Sequence, residues 1–285
     1  MADFLSLMTK DQKSFFNQKI AFITGASRGI GREVALSLAA LGVKIAIVAK
    51  TKEPHPSLPG TIESVRAEIA DKYGTDKVIA IQTDIREEAA VKSAIDQTVS
   101  AFGGIDFLIN NASAIKLATS QQLNLKDYDL MQQVNVRGTF LCSKYAIPYL
   151  KKSNSGRILT FSPPLNLDPK WFKNFLAYSL SKYGMSLCTL GLAEELREYG
   201  IGVNALWPKT IIATSAIEVN FPKEWLEQAR KPNIMADAAI SVLSQSNSIT
   251  GQFFVDELVL KAAGLSDFSD YAVNASRKLL PDIFL

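Results

Sequence analysis

The sequence predicts an α/β protein: a single-domain, Rossmann-like, doubly wound parallel sheet of about seven strands with helices on both faces. Three observations predict it. Short apolar runs rich in Ile and Val recur along the chain and suit strands buried on both faces of a parallel sheet. Longer amphipathic stretches alternate with them, and right-handed crossovers then place helices on both sides. No repeat, low-complexity tract or linker divides the 285 residues, a length at which folding buries about three quarters of the chain's surface.

Residues 1–18 form an N-terminal extension, in which Asp3 precedes a very short apolar stretch without the layout of a signal peptide. The domain is expected over 19–260, with strands at 20–24, 43–49, 78–82, 105–110, 157–161, 201–206 and 253–255. Helical patterns cover 32–41, 87–102, 134–150, 177–199 and 235–243. The stretch 51–60, with three prolines, is a loop between a strand and a helix. Residues 210–232 are expected to form a mobile helical flap, and 261–285 a C-terminal tail. Within the tail, Tyr271, Leu279, Leu280 and Phe284 carry enough apolar surface to dock on the same or a neighbouring subunit. Ligands of such a sheet bind beyond the carboxyl ends of the strands.

Composition removes several function classes. The 31 basic and 28 acidic residues give a net charge of +3 with no dense basic block, so neither nucleic acid nor an anionic membrane is an expected partner. The longest apolar runs, such as 45–49, are too short to span a bilayer, so no membrane insertion is expected. Cys142 and Cys188 form neither a disulfide framework nor a metal-ligand spacing and read as thiols of a reducing, cytoplasmic compartment. His55, between Pro54 and Pro56, is the only histidine, which excludes multi-histidine zinc sites and argues against a Ser-His-Asp hydrolase. No metal is expected.

The first strand runs into Thr24-Gly25-Ala26-Ser27-Arg28-Gly29-Ile30-Gly31 and then a helix, so backbone amides and the helix dipole converge where a pyrophosphate fits. The bland alternative is a tight turn. At the end of the second strand, where an NAD enzyme places a carboxylate for the ribose hydroxyl, the sequence has Lys50. With Arg28 it would pair with a 2′-phosphate, which favours NADP (NADPH) over NAD, unless both are merely solvated cations. Farther on, Tyr178 and Lys182 stand at i and i+4, on one helix face, where an ammonium would draw the phenol's pKa towards the working range. Taken alone, that spacing also fits a surface pair.

Together these motifs make residues 19–256 resemble the short-chain dehydrogenase/reductase family. Residues 24–31 match its glycine motif; Asp84, with Ile85 beside it, matches the acidic residue near the adenine ring; Asn110-Asn111-Ala112-Ser113 matches N-N-A-G with serine for glycine. Asn135 matches the family's helix asparagine, and Tyr178 and Lys182 its acid/base pair. Finer features at 50–62, 162–167 and 207–210 resemble a branch whose longer members carry a sterol-carrier domain. Within these 285 residues no such domain is expected, and the final Asp282-Ile283-Phe284-Leu285 reads as no peroxisomal address. The resemblance implies catalytic roles for Tyr178, Lys182, Asn135 and Ser162. It implies cofactor contacts from Gly25, Ser27, Arg28, Gly29, Ile30, Gly31, Lys50, Asp84, Ile85, Asn111, Ala112, Tyr178, Lys182, Pro208 and Ile211.

Two positions depart from the pattern. Pro163 occupies the place of the family's catalytic serine, with Ser162 one residue early, so either Ser162 or the amide of Asn166 swings in to polarise the substrate oxygen. Lys209 replaces the glycine of a Pro-Gly pair. The implied reaction moves hydride between a nicotinamide and a carbonyl or secondary alcohol, Tyr178 exchanging the proton and Lys182 lowering its pKa and holding the ribose. Enoyl reduction on the same fold and a non-catalytic NADP-binding regulator are the alternatives. Residues 211–225, with Ile212, Ile217, Val219, Phe221 and Trp225, either close over an apolar small-molecule substrate, the resemblance suggesting a lipid, fatty-acyl or steroid-like carbonyl compound, or only pack the flap on the core. A homodimer or homotetramer is expected through the helices at 134–150 and 177–199.

Overall fold

Strand β1 (Ile20–Thr24) is buried at every position and pairs in parallel on both sides, with β2 (Lys44–Ala49) and β4 (Phe107–Asn110). β3 (Val78–Gln82) lies outside β2, and β5 (Arg157–Thr160), β6 (Gly202–Trp207) and β7 (Phe253–Val255) extend the other half. The seven-stranded order β3-β2-β1-β4-β5-β6-β7 reverses direction between β1 and β4. That reversal opens a crevice at the carboxyl ends of the strands. The computed structural model describes residues 4–54 and 58–285, so His55 and Pro56 lie outside the described residues.

Side chains of each strand alternate between two cores. Ala21 and Ile23, Ile45 and Ile47, and Phe107 and Ile109 face one; Phe22, Ala46, Val48 and Leu108 face the other. This period of two on a doubly covered sheet explains why the strands read as continuous apolar runs. The first core is closed by α3 (Gly29–Ala40), α4 (Ile62–Tyr73) and α11 (Asn233–Leu243), the second by α5 (Glu88–Phe102), α7 (Gly138–Leu150) and α8 (Leu176–Glu195). The remaining helices are α1 (Phe4–Leu7), α2 (Lys10–Phe16), α6 (Leu125–Met131), α9 (Ser215–Asn220), α10 (Glu224–Glu227) and α12 (Asp256–Ala262).

Three differences from the sequence expectation have local causes. The first long helix starts at Gly29 rather than 32, because the glycine turn feeds directly into it. The pattern at 134–150 resolves into α7 and the end of a π-helical segment, Gln132–Arg137, that continues from α6. The extension at 1–18 is part of the fold over its described residues. Thr9 and Gln12 form a capping box at the start of α2. Phe16 is fully buried and packs edge-on against Phe107 at 5.9 Å, while the Arg157 guanidinium lies 4.7 Å from the Phe15 ring centre. This arm seals the amino-terminal edge of the sheet, the end opposite the crevice.

Candidate active site

The crevice is built around Thr24. Its hydroxyl accepts the backbone N–H of Asn111 and of Ala112, each at 3.0 Å, and donates to Ile109 O at 3.3 Å, tying the end of β1 to that of β4. The Asn111 side chain donates to Thr24 O at 2.9 Å and Gly25 O at 3.1 Å. Gly25 and Gly29 have φ of +67° and +55°, and a Cβ on Gly25 would stand 2.8 Å from Ala112 Cα. A Cβ on Gly31 would strike the Asn111 amide and lie 2.7 Å from Gly25 O. Glycine is thus required by conformation and by space. Arg28 caps α3 without a side-chain hydrogen bond, so no cap occupies the helix's first amides. The cradle fits a dinucleotide's pyrophosphate.

At the end of β2, Lys50 does not stand free. Its ammonium pairs with Asp84 at 3.2 Å, though its side chain remains largely exposed. Arg86 donates to the same carboxylate at 2.6 Å, and these hydrogen bonds outweigh burial to hold Asp84 at a pKa of about 2. Ile85 is buried behind it in the second core. The Arg28 guanidinium donates to the carbonyls of Pro59 and Gly60, both at 3.1 Å. A cleft of about 380 Å³ opens here, lined among others by Arg28, Gly29, Gly60, Thr214 and Glu218. The 210–232 segment therefore borders the phosphate end. Its expected apolar closure is not seen: Ile212 packs into the first core, Val219 is exposed, and Phe221 stacks on Trp225 at 4.7 Å.

Asn135 lies in the π-helical segment and is fully buried. Its Oδ1 accepts Ala114 N–H at 2.7 Å, and its Nδ2 donates to Ala114 O and Ser181 Oγ, both at 2.9 Å. It thereby staples the chain after β4 to α8. Tyr178 and Lys182 sit one turn apart on α8, both buried. Lys182 Nζ donates to Phe161 O at 2.6 Å and lies 5.0 Å from the Trp207 ring. Ser186 donates to Pro163 O at 2.7 Å. Ser162, between the two anchored carbonyls, is fully buried and its hydroxyl has no partner among the described residues. Asn166 is engaged elsewhere, its side chain accepting Asp168 N–H and its carbonyl the Tyr183 hydroxyl. Asn135 and the strand end that carries Ser162 are thus tied to the stretch of α8 that bears Tyr178 and Lys182.

The electrostatics differ from the sequence expectation. Burial, reinforced by the Asp282 carboxylate, pushes the Tyr178 phenol above the ordinary tyrosine range rather than towards neutrality. Burial also pulls Lys182 down to about 7, against the opposing pull of Asp282. The same burial that raises the phenol lowers the amine, so both are moved towards their neutral forms.

Lys209 is accommodated by charge. Its backbone N–H donates to Asp256 Oδ1 at 2.8 Å, and its ammonium joins Arg230 and Lys261 on Glu257, each at 2.7 Å. Burial would raise Glu257, but the three cations hold it at about 2. Pro208 and Ile211 flank this anchored turn, where Ile211 N–H donates to Leu280 O at 3.1 Å. The tail then enters the centre itself, with Phe284 fully buried against Tyr178 and the Asp282 carboxyl pushed up to about 7 by burial. In the sequence Phe284 reads only as docking surface. Its signal was the apolar run Ile283-Phe284-Leu285 behind a single acid, which does not say where the run docks. Among the described residues no cluster of His, Cys, Asp or Glu is arranged to hold a metal.

A family model described as short chain dehydrogenase matches residues 19–224. The chain belongs to the short-chain dehydrogenase family. Curated relatives named hydroxysteroid dehydrogenase-like protein 2 include one from Danio rerio, 52% identical over 264 residues, which cover 93% of this chain and 63% of that protein. The Homo sapiens relative is 48% identical over 93% of this chain and 62% of its own length. The chain spans between 50% and 63% of the length of such curated relatives. Among solved structures, a Xanthomonas campestris protein described as a dehydrogenase superposes with a TM-score of 0.91 at 47% identity, over 95% of this chain and 98% of that one. A short chain dehydrogenase from Mycobacterium thermoresistibile gives 0.89 at 44% identity, over 95% and 96%. Membership places the chain in a family of nicotinamide-binding oxidoreductases.

Proposed function

We propose that this short-chain dehydrogenase is an NADP(H)-dependent oxidoreductase acting on a carbonyl or secondary alcohol of an apolar, lipid-like small molecule, with Tyr178 as general acid/base. The observation that carries the reading is the buried constellation on α8 and the end of β5: a phenol, an amine poised near neutrality, and the partnerless hydroxyl of Ser162. An unsatisfied buried hydroxyl costs about 1–3 kcal/mol, and a substrate oxygen would satisfy it.

The dinucleotide, when bound, supplies or accepts the hydride. Gly25, Ser27, Arg28, Gly29, Ile30 and Gly31 would cradle its pyrophosphate, with Lys50 and Arg28 turning to a 2′-phosphate. Asp84 and Ile85 border the adenine end, Asn111 and Ala112 the middle, and Pro208 and Ile211 the nicotinamide end. Tyr178 gives its proton to the carbonyl oxygen in reduction and takes it back in oxidation. Lys182, close to half-protonated near pH 7, replenishes that proton, and Asn135 holds the α8 turn that carries both. The apolar surface around Tyr178, which includes Ile115, Leu117, Leu165, Phe172 and Trp207, supports an apolar substrate. The exposed leucines of α8 (Leu180, Leu187 and Leu190) and Phe140 of α7 support pairing of these helices in a homodimer or homotetramer. The two cysteines, Cys142 held up to about 12 by burial, fit a cytoplasmic protein.

The test is Tyr178→Phe. NADPH consumption over a panel of carbonyl compounds should drop by at least about a hundredfold while NADPH affinity is retained. Turnover close to the parent's overturns the assignment.

A further inference from the structure

Phe284 meets five aromatic rings: Tyr183 at 5.2 Å between centroids, Trp207 at 5.9 Å, Trp171 at 6.0 Å, and Phe175 and Tyr178 both at 6.3 Å. The pair with Tyr178 is stacked, its planes inclined by 28°, so the ring lies roughly parallel beside the phenol. These partners come from the loop after β5, from α8 and from the end of β6, the segments that surround Tyr178 and Ser162. The backbone holds the ring there. Pro281 bridges Thr210 in antiparallel fashion, Asp282 N–H donates to Lys209 O at 3.0 Å, and Trp207 Nε1 donates to Ile283 O at 2.9 Å. Phe284 itself has φ of 77°, a left-handed conformation that costs an aromatic residue energy and that clusters at functional sites. Asp282 places a buried carboxyl within electrostatic range of Tyr178 and Lys182.

We infer that Phe284 is the specificity-determining residue of this centre: its ring fills the space beside the phenol, so that unbranched apolar carbonyl compounds reach Tyr178 and rigid polycyclic ones do not. The inference rests on the reading of Tyr178 as the reacting group. A straight chain a methylene wide can run along the face of a ring held in place, whereas a fused-ring ketone needs the volume the ring occupies. Phe284 lies against the phenol ring, so a carbonyl compound of either shape that brings its oxygen to Tyr178 contends with this ring.

The 285-residue parent, Phe284→Ala and Phe284→Leu are compared for NADPH consumption with a straight-chain aldehyde of about ten carbons and with a steroid ketone. Phe284→Ala is expected to raise the steroid-to-aldehyde ratio of kcat/KM at least about tenfold, the scale on which hydrophobic pockets discriminate, with Phe284→Leu intermediate. An unchanged ratio in both variants overturns the inference. A second readout needs no turnover. Trp171 and Trp207 flank the ring, so quenching of tryptophan fluorescence by the steroid ketone should report binding at least about tenfold tighter to Phe284→Ala than to the parent. Equal affinity overturns the inference. If the parent reduces neither compound, or Tyr178→Phe keeps its activity, the reading of the reacting group fails and the fluorescence comparison alone decides the inference. Thermal unfolding followed by circular dichroism checks that each variant is folded, and Phe284→Leu carries the comparison where Phe284→Ala is not.

Discussion

At the scale of single residues, the chemistry of the centre follows from what each charged group is allowed to touch. Lys50 shows it. The missing carboxylate at the end of β2 and the cation in its place are visible in the sequence, but the ion pair with Asp84 is not, because it joins two strand ends 34 positions apart. Binding a 2′-phosphate requires Lys50 to turn from Asp84, which Arg86 continues to hold. Lys50→Ala should therefore weaken NADPH about tenfold or more, the scale of a charge-assisted hydrogen bond, and leave NADH nearly unaffected, as read by titration of cofactor fluorescence. An unchanged NADPH-to-NADH preference excludes the contact. The Tyr178–Lys182 spacing was equally legible, while the sign of the tyrosine's shift was not. Burial, reinforced by the Asp282 carboxylate of the distant tail, sets it, and no local pattern carries that information.

At the scale of elements, the strands were legible because a parallel sheet covered on both faces demands uninterrupted apolar runs. Their observed ends differ from the expected ones by at most two residues. The helix at 134–150 was legible as helical, but its π-helical entrance was not, since it is fixed by Asn135 bonding to Ala114 and Ser181 rather than by periodicity. α8 packs closely on this segment, and a Cβ on Gly184 would stand 2.5 Å from Val136 Cγ2. Gly184→Ala should cost about 1–3 kcal/mol as an overpacked contact, measured by urea unfolding. It should lower turnover too, because Val136 adjoins Asn135. A variant as stable and active as the parent would show that this contact yields freely.

At the scale of the whole molecule, burying acids near the centre makes stability depend on pH. Asp282 and Asp256 are held at about 7 and about 6, above their unfolded value of 3.8, chiefly by burial. The folded chain then binds more protons than the unfolded one between about pH 4 and 7, so this contribution falls as pH rises through that window. Lys182, lowered to about 7, acts oppositely: the folded chain binds fewer protons between about 7 and 10.5, and stability gains as pH rises there. Asp84 and Glu257, held at about 2, contribute stability above about pH 4 that is lost as pH falls towards 2. Asp282→Asn should therefore unfold at higher urea than the parent at pH 8, with the difference vanishing near pH 4. A constant difference across pH would show that the Asp282 carboxyl is not held protonated by the fold.

The family match begins at residue 19, yet Phe16 lies in the core against Phe107 and Phe15 covers the buried Arg157. A polypeptide cut at Lys19 would carry a greasy notch at the base of its sheet, with a desolvated cation at its rim. Light scattering should then record clumping on concentration that the longer polypeptide resists, so a boundary drawn where sequence similarity starts is a poor place to begin expression.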